Sequence, residues 1–442
     1  MNPAHTRRKL VATTGMALVA LCLLIPGESR PAPPKPQPDH IVFPTGEWPD
    51  DVENIQAAVD LGGTVLLKAN DASGKPTPFN FGAGENNSCK RQIGLTRDVE
   101  LLGESVGIIS TTITGGIRPI QVGRSNSCAQ DFSPEFPKVR IDGITFKGQI
   151  QAAIDVYKAA DTDIVRNRII NLVVEREIAV GINVFGGGAE RRIAGKVTIA
   201  DNIIRYPASS GTFVHAIVVA DLTTDVDLVR NRIETTQAFT GILVVRQAEG
   251  KVRIANNFIA PHPQEPGPGD GIGIYIYAND QWNDIRSSPP VYEVTNNRVV
   301  SSGWGIGLVG EHGSIDAPVI EQNHISLTGP SLFPDGIGLY GNVSAARVSN
   351  NRIDGTGYSS IGIIAFQAGQ TAESNAIVGN NLATFLASAA DVFLDEHTRG
   401  NVLVGYSGTV IDLGSANQIT GMHRIGHGQN IGRRLGGHDR SP

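Results

Sequence analysis

Ile164-Val165-Arg166-Asn167-Arg168-Ile169 is the first clear copy of a six-residue stretch that returns down the chain. It recurs as Ile199–Ile204, Leu228–Ile233, Ile254–Ile259, Val294–Val299, Ile320–Ile325, Val348–Ile353 and Val378–Ala383. Aligned on Asn167, Asn202, Asn231, Asn257, Asn297, Asn323, Asn351 and Asn381, every copy has an aliphatic residue three places before the asparagine. All but the last, which has Ala383, have another two places after it. Self-similarity at intervals of 26 to 40 residues marks stacked coils, each unable to bury its own apolar face.

A second short strand precedes most copies: 181–185 (GINVF), 216–220 (AIVVA), 241–245 (GILVV), 271–277 (GIGIYIY), 305–310 (GIGLVG), 336–341 (GIGLYG) and 362–366 (GIIAF). These runs are rich in β-branched residues and bounded by glycine or polar turns, and no stretch of helical period separates them. Two or three strands per turn, stacked in register, give parallel sheets wound around one narrow core. Each asparagine then stands about 4.8 Å above the next, placed to donate its amide to its neighbour's carbonyl. This register resembles that of the right-handed parallel β-helix, or pectate-lyase-like, superfamily. The resemblance spans roughly residues 50–420 and implies an all-β chain, a single-stranded right-handed parallel β-helix. Asp50–Val59 reads as a capped amphipathic helix and Thr64–Leu67 as the first strand. The helix resembles the one that plugs the first coil in that superfamily, closing an open sheet end.

Composition agrees: 52 glycines in 442 residues and only 18% charged side chains suit a turn-rich solenoid. Thr6-Arg7-Arg8-Lys9 before an apolar run from Leu10 to Ile25 has the form of an export signal, and the run is short for a membrane span. The arginine pair fits a twin-arginine signal. No clean small-x-small cleavage site follows, so a retained signal is the one membrane link the sequence suggests. The expected organisation is an export signal over 1–30, a proline-rich linker over 31–49, the β-helix over 50–421 and a disordered tail over 422–442, in a periplasmic or extracellular protein. Removing residues 1–30 takes away four cations and Glu28, moving the net charge from −6 to −9. That balance argues against nucleic acid as a partner. Cys89 and Cys128 either form one disulfide or remain two thiols, and their spacing does not choose.

Candidate chemistry gathers at residues 270–340. Strict alternation turns Gly273, Gly307 and Gly338 outward beside Tyr275, Val309 and Tyr340, with Tyr277 further on. A glycine column leaves a shallow trough, and flanking aromatics offer faces for sugar rings. Trp304, Trp282 and His312 join Tyr275, Tyr277 and Tyr340 as expected substrate contacts, under the longest loops of the repeat. Asp270 and Asp335 lead equivalent strands two coils apart, about 9–10 Å at the backbone. That spacing suits the acid and base of an inverting hydrolase, although Asp-Gly is also an ordinary turn pair. Arg168, Arg232, Arg298 and Arg352 form a broken outward column, a solvated face or a grip for carboxylates. Asp161/Asp163 and Asp221/Asp225/Asp227 lack the dense spacing of a calcium loop, so no metal or other cofactor is assigned.

The superfamily's catalytic signatures do not carry over. Gly426-His427-Gly428 falls in the tail, Asp50-Asp51 precedes the helix, and Ala260-Pro261-His262-Pro263 departs from the epimerase Asp-Pro-His-Asp pattern. Two functions stay open. One is a polysaccharide-degrading hydrolase or lyase acting on a glycan laid across coils 270–340. The other is a non-catalytic glycan-binding or surface β-helix. Either way the expected partner is a polysaccharide or oligosaccharide, and no feature fixes the oligomeric state.

Overall fold

The bend at each asparagine sets the winding. In the computed structural model Thr162–Val165 runs into the two-residue corner Arg166-Asn167, Arg168–Ile170 follows, and Ile178–Phe185 completes the coil. The residue before each ladder asparagine takes the left-handed conformation: Arg166, Asp201, Arg230, Asn256, Asn296, Gln322, Asn350 and Gly379 all have φ between 54° and 63°. For a residue with a Cβ this costs on the order of 1 kcal/mol, and the asparagine that follows offsets it. Asn202 Nδ2 donates to the Ile164 carbonyl (2.8 Å) and to Asn231 Oδ1 (3.0 Å), which also accepts the Asn202 backbone N–H (3.1 Å). The same three bonds repeat at Asn231, Asn257, Asn297, Asn323 and Asn351.

Seven of the eight expected asparagines lie in this ladder. The eighth is Asn380 rather than Asn381: Asn351 Nδ2 reaches Asn380 Oδ1 at 2.8 Å, while Asn381 pairs with the outward Arg352. Around Val378-Gly379-Asn380-Asn381-Leu382-Ala383 the core residues are Leu382 and the preceding Ile377, so the true copy starts one residue earlier, at Ile377. A second ladder, absent from the sequence reading, runs through Asn375, Asn401 and Asn417 at another corner, with side-chain bonds of 3.0 and 3.1 Å.

The structure describes residues 37–425 except 84–87, 127–130, 150, 171–177, 188–192, 207–212, 223, 236–239, 248, 262–270, 279–288, 329–333, 366–368, 406–407 and 422. The expected signal and most of the expected tail therefore lie outside the described residues, as do Cys128 and the side chain of Cys89. Among the described residues the strands before the corner form a 14-stranded parallel sheet from His40–Val42 to Gln418–Thr420. The other two strands of each coil form ladders that merge where Arg352–Ile364 runs without a break, pairing with both His324–Leu327 and Asp335–Ser344. Inside, like stacks on like: Ile164, Ile199, Leu228, Ile254, Val294, Ile320 and Val348 are wholly buried and in register. The chain is a right-handed parallel β-helix, and Pro38 onward forms one compact unit.

The sheet begins earlier than expected. His40–Val42 pairs with Val65–Leu67 inside the segment read as linker. The helix forms over Asp50–Val59 and sends Val52, Ile55 and Val59 into the core, but it has no side-chain cap. Asp51 turns back instead, accepting from the N–H groups of Thr45 (2.6 Å), Gly46 (3.1 Å) and Asn80 (2.7 Å). It ties the incoming chain to the first coil.

Candidate functional site

Outward residues of the third strand form columns because parallel register puts each directly over its neighbour. One column runs Gln121, Asp155, Asn183, Val218, Leu243, Tyr275, Gly307, Gly338, Gly362. The next holds Val245, Tyr277, Val309 and Tyr340. Tyr275 thus lies level with Gly307 and Gly338, where the sequence reading had put Gly273. Ile274 pairs with Ile306 and Ile306 with Ile337, so Gly273 is level with Gly305 and Gly336. A Cβ on these three would strike the core side chains of Val299, Ile325 and Ile353, so they are glycines of a tight inner corner.

Nor is the outer glycine column an open trough. A Cβ at Gly307 would meet the Trp304 ring at 3.0 Å, one at Gly338 would land in the Tyr340 ring, and one at Gly362 on the Asp335 carboxylate. The glycines make room for the protein's own aromatic slab. Tyr277 and Tyr275 stack at 5.9 Å, Tyr275 meets Trp304 at 5.8 Å, and Trp304 meets Tyr340 at 4.8 Å. Tyr275, Tyr277 and Trp304 are half-buried and present ring surface. Tyr340, expected from the sequence as a substrate contact, is 2% exposed and lies beneath the slab as its support.

Asp335 is also buried, at 2% exposure. Gly336 and Ile337 both turn toward the core, which breaks the alternation and returns Asp335 to the outer side. One of its carboxylate oxygens accepts the Tyr340 hydroxyl; the other accepts the hydroxyl and the backbone N–H (3.1 Å) of Ser359. Burial pushes this carboxyl up to about 6, against the pull of those donors. Asp335 has no aspartate counterpart. Gly273 N–H donates to the Trp304 carbonyl as Gly305 N–H does to that of Asp335, so the residue two coils below Asp335 is Ile272. Asp270 itself, like Trp282, lies outside the described residues.

At the other edge of the slab the Tyr277 hydroxyl donates to Glu311, a half-buried carboxylate 3.8 Å from exposed His312. From the sequence, Glu311-His312 reads as a loop pair able to supply an acid or base near neutral pH, whereas nothing in the letters singles out Ser359. Elsewhere, Arg232 and Arg298 sandwich Phe258 (4.8 and 5.6 Å), and Arg232 and Arg352 pair with Glu234 and Asp354. The aspartates considered for calcium face cations or amides: Asp221 meets Arg246 (2.6 Å), Asp227 Lys196 (2.5 Å), Asp163 Arg140 (3.8 Å), Asp161 Lys138 (3.7 Å) and Asp225 the Lys251 N–H (2.9 Å). Among the described residues no cluster of three or more metal-binding side chains occurs.

No family model matches the chain, and no curated protein matches it. Among solved structures it is similar to the DFA-IIIase of Arthrobacter chlorophenolicus A6 in complex with GF2, at 13% identity over 87% of this chain and 96% of that one, with a TM-score of 0.43. It is similar to the Dettilon tailspike protein at 13% identity over 84% and 64%, TM-score 0.39. The A-module of the Azotobacter vinelandii mannuronan C-5 epimerase AlgE4 matches at 15% identity over 88% and 97%, TM-score 0.31. These likenesses concern the fold alone.

Proposed function

We propose that the protein is exported and binds a saccharide chain along the outer face of its third sheet strand, over Tyr275, Tyr277 and Trp304. The observation that supports this is the continuous slab of three half-buried rings, braced from beneath by Tyr340. Aromatic faces held rigid by the sheet meet the apolar faces of sugar rings without losing conformational freedom on binding. Isothermal titration against a panel of soluble glycans tests it. Tyr275→Ala and Trp304→Ala should each weaken the best ligand about tenfold or more, equivalent to about 1.4 kcal/mol, with little change in melting temperature. Parent-like affinity in both variants would make the slab mere packing.

A hydrolase acting on the same chain is the second reading. It draws support from an acid held neutral to about pH 6 at Asp335 beside a slab that ends at the Glu311 carboxylate. Reducing-end and unsaturated-product assays on the same panel separate the two readings: turnover lost in Asp335→Asn with binding kept favours hydrolysis, whereas affinity without turnover in the parent favours a binding protein. The export half rests on Arg7, Arg8, Lys9 and the apolar run behind them. Fractionation of the native host should place the protein outside the cytoplasm, and Arg7→Lys with Arg8→Lys should hold it inside if the twin-arginine route is used. A wholly cytosolic parent chain overturns the proposal.

A further inference from the structure

The slab occupies only one end of its column. At the other end Gln121, Asp155 and Asn183 stand in successive coils, outward between core residues such as Ile154 and Val156. Asp155 is 1% exposed. Its Oδ1 accepts Asn183 Nδ2 (2.9 Å); its Oδ2 accepts the Tyr157 hydroxyl (3.1 Å) and lies 3.2 Å from Arg118 Nε. Arg118 in turn donates to the Tyr157 hydroxyl (2.7 Å), so the carboxylate is matched in charge and fixed in place. Val218 and Leu243 fill the same column with aliphatic side chains, so packing alone does not call for polar ones here.

Gln121 Nε2 donates to Gln92 Oε1 at 3.0 Å. Among the described residues Gln121 Oε1 and Gln92 Nε2 are then left without a partner, although the residues are only 1% and 2% exposed. Turning both amides over keeps their mutual bond and merely exchanges which two atoms are orphaned. Each such buried group costs about 1–3 kcal/mol. An unpaired donor on one amide and an unpaired acceptor on its partner are groups that a hydroxyl, which both donates and accepts, can satisfy.

We propose that Gln92, Gln121, Asp155 and Asn183, braced by Arg118 and Tyr157, form a second subsite that reads the hydroxyls of a neutral saccharide. The inference rests on the saccharide reading of the same face. Asp155 and Tyr275 are four coils apart, about 19 Å, so one chain lying along the helix axis reaches both. The charge of Asp155 is met by Arg118 within the protein, so the ligand need bring none.

Calorimetric titration with cellohexaose, maltohexaose, an inulin-type oligofructan and hexagalacturonate tests the assignment. In Gln121→Leu the neutral probe that binds the parent should lose tenfold or more in affinity, while the melting temperature stays near the parent's, because the variant removes the orphaned Gln121 Oε1 and strands Gln92 Oε1 in its place. If that variant does not fold, Gln92→Leu is judged by the same two readouts. Parent-like affinity in Gln121→Leu alongside weakened binding in Tyr275→Ala overturns the second subsite and leaves the aromatic one standing. Binding of hexagalacturonate alone overturns the neutral-ligand assignment. A parent that binds none of the four takes down both readings together.

Discussion

Replacing Asn297 with leucine should destabilise the protein by about 3–5 kcal/mol, more than the loss of one or two hydrogen bonds would. Asn297 sits at the middle of the ladder at 1% exposure and makes four side-chain bonds. Its Nδ2 donates to the Ile254 carbonyl (2.8 Å) and Asn323 Oδ1 (3.0 Å); its Oδ1 accepts the backbone N–H (3.0 Å) and Nδ2 (2.9 Å) of Asn257. Leucine is close in volume, so little cavity forms, and the effect comes from the partners stranded on both sides. The Asn257 backbone N–H is the worst placed, because its corner is closed to solvent and its neighbour Asn256 already holds a left-handed φ of 58°. Urea unfolding of the full chain measures the loss. Asn381→Leu is the internal control: that side chain lies outside the ladder, its amide Oδ1 accepting only the nearby Ala383 N–H at 3.2 Å, so its change should stay within about 0.5 kcal/mol. Equal losses in the two variants would remove the ladder's claim to stability.

The contrast between those two asparagines shows what the chain's sequence discloses. Period and the aliphatic–Asn–aliphatic register were legible because stacked coils repeat one environment, and a repeated environment selects a repeated residue. The slip at Val378-Gly379-Asn380-Asn381 arose because two asparagines adjoin there and both satisfy a spacing rule; the left-handed Gly379 decides between them, and φ is not written in the letters. The second ladder at Asn375, Asn401 and Asn417 escaped notice because three copies make too short a series. At the face, Trp304 is legible from its place at the head of its strand, and Tyr275 and Tyr277 from alternation, which holds through regular strand. It fails at the inner corner, where Gly336 and Ile337 both face the core, so the relation of Gly273 to Gly307 and of Asp270 to Asp335 could not be read from parity. The polar end of the column went unread because Gln121, Asp155 and Asn183 share no residue type. Register brings them together, not resemblance.

In Asp335→Asn the pH dependence of stability should flatten between pH 4 and pH 7. In the folded protein burial raises this carboxyl from 3.8 to about 6. A raised acid favours the protonated form on folding, so its contribution is fully present below the unfolded value and is lost as pH climbs through the folded one. About two units correspond to on the order of 3 kcal/mol, given up between roughly pH 4 and pH 6 and constant above. Asparagine keeps the shape and an oxygen for the Ser359 donors but never ionises, so the variant avoids that loss and should match or exceed the parent at pH 7.5. Urea melts of both proteins at pH 4, 5.5 and 7.5 decide it, and taking the difference between them cancels other titrating groups such as Asp155 and His215. Parallel curves would mean that Asp335 does not carry the slope. The same variant bears on the site. Because the carboxylate bonds Tyr340 and Ser359 beneath the slab, a saccharide resting on Tyr275 and Trp304 should bind Asp335→Asn as it binds the parent, from pH 5 to pH 8. Affinity that instead falls with the substitution would place the carboxylate in direct contact with the ligand, through a displacement of the Tyr340 ring that covers it.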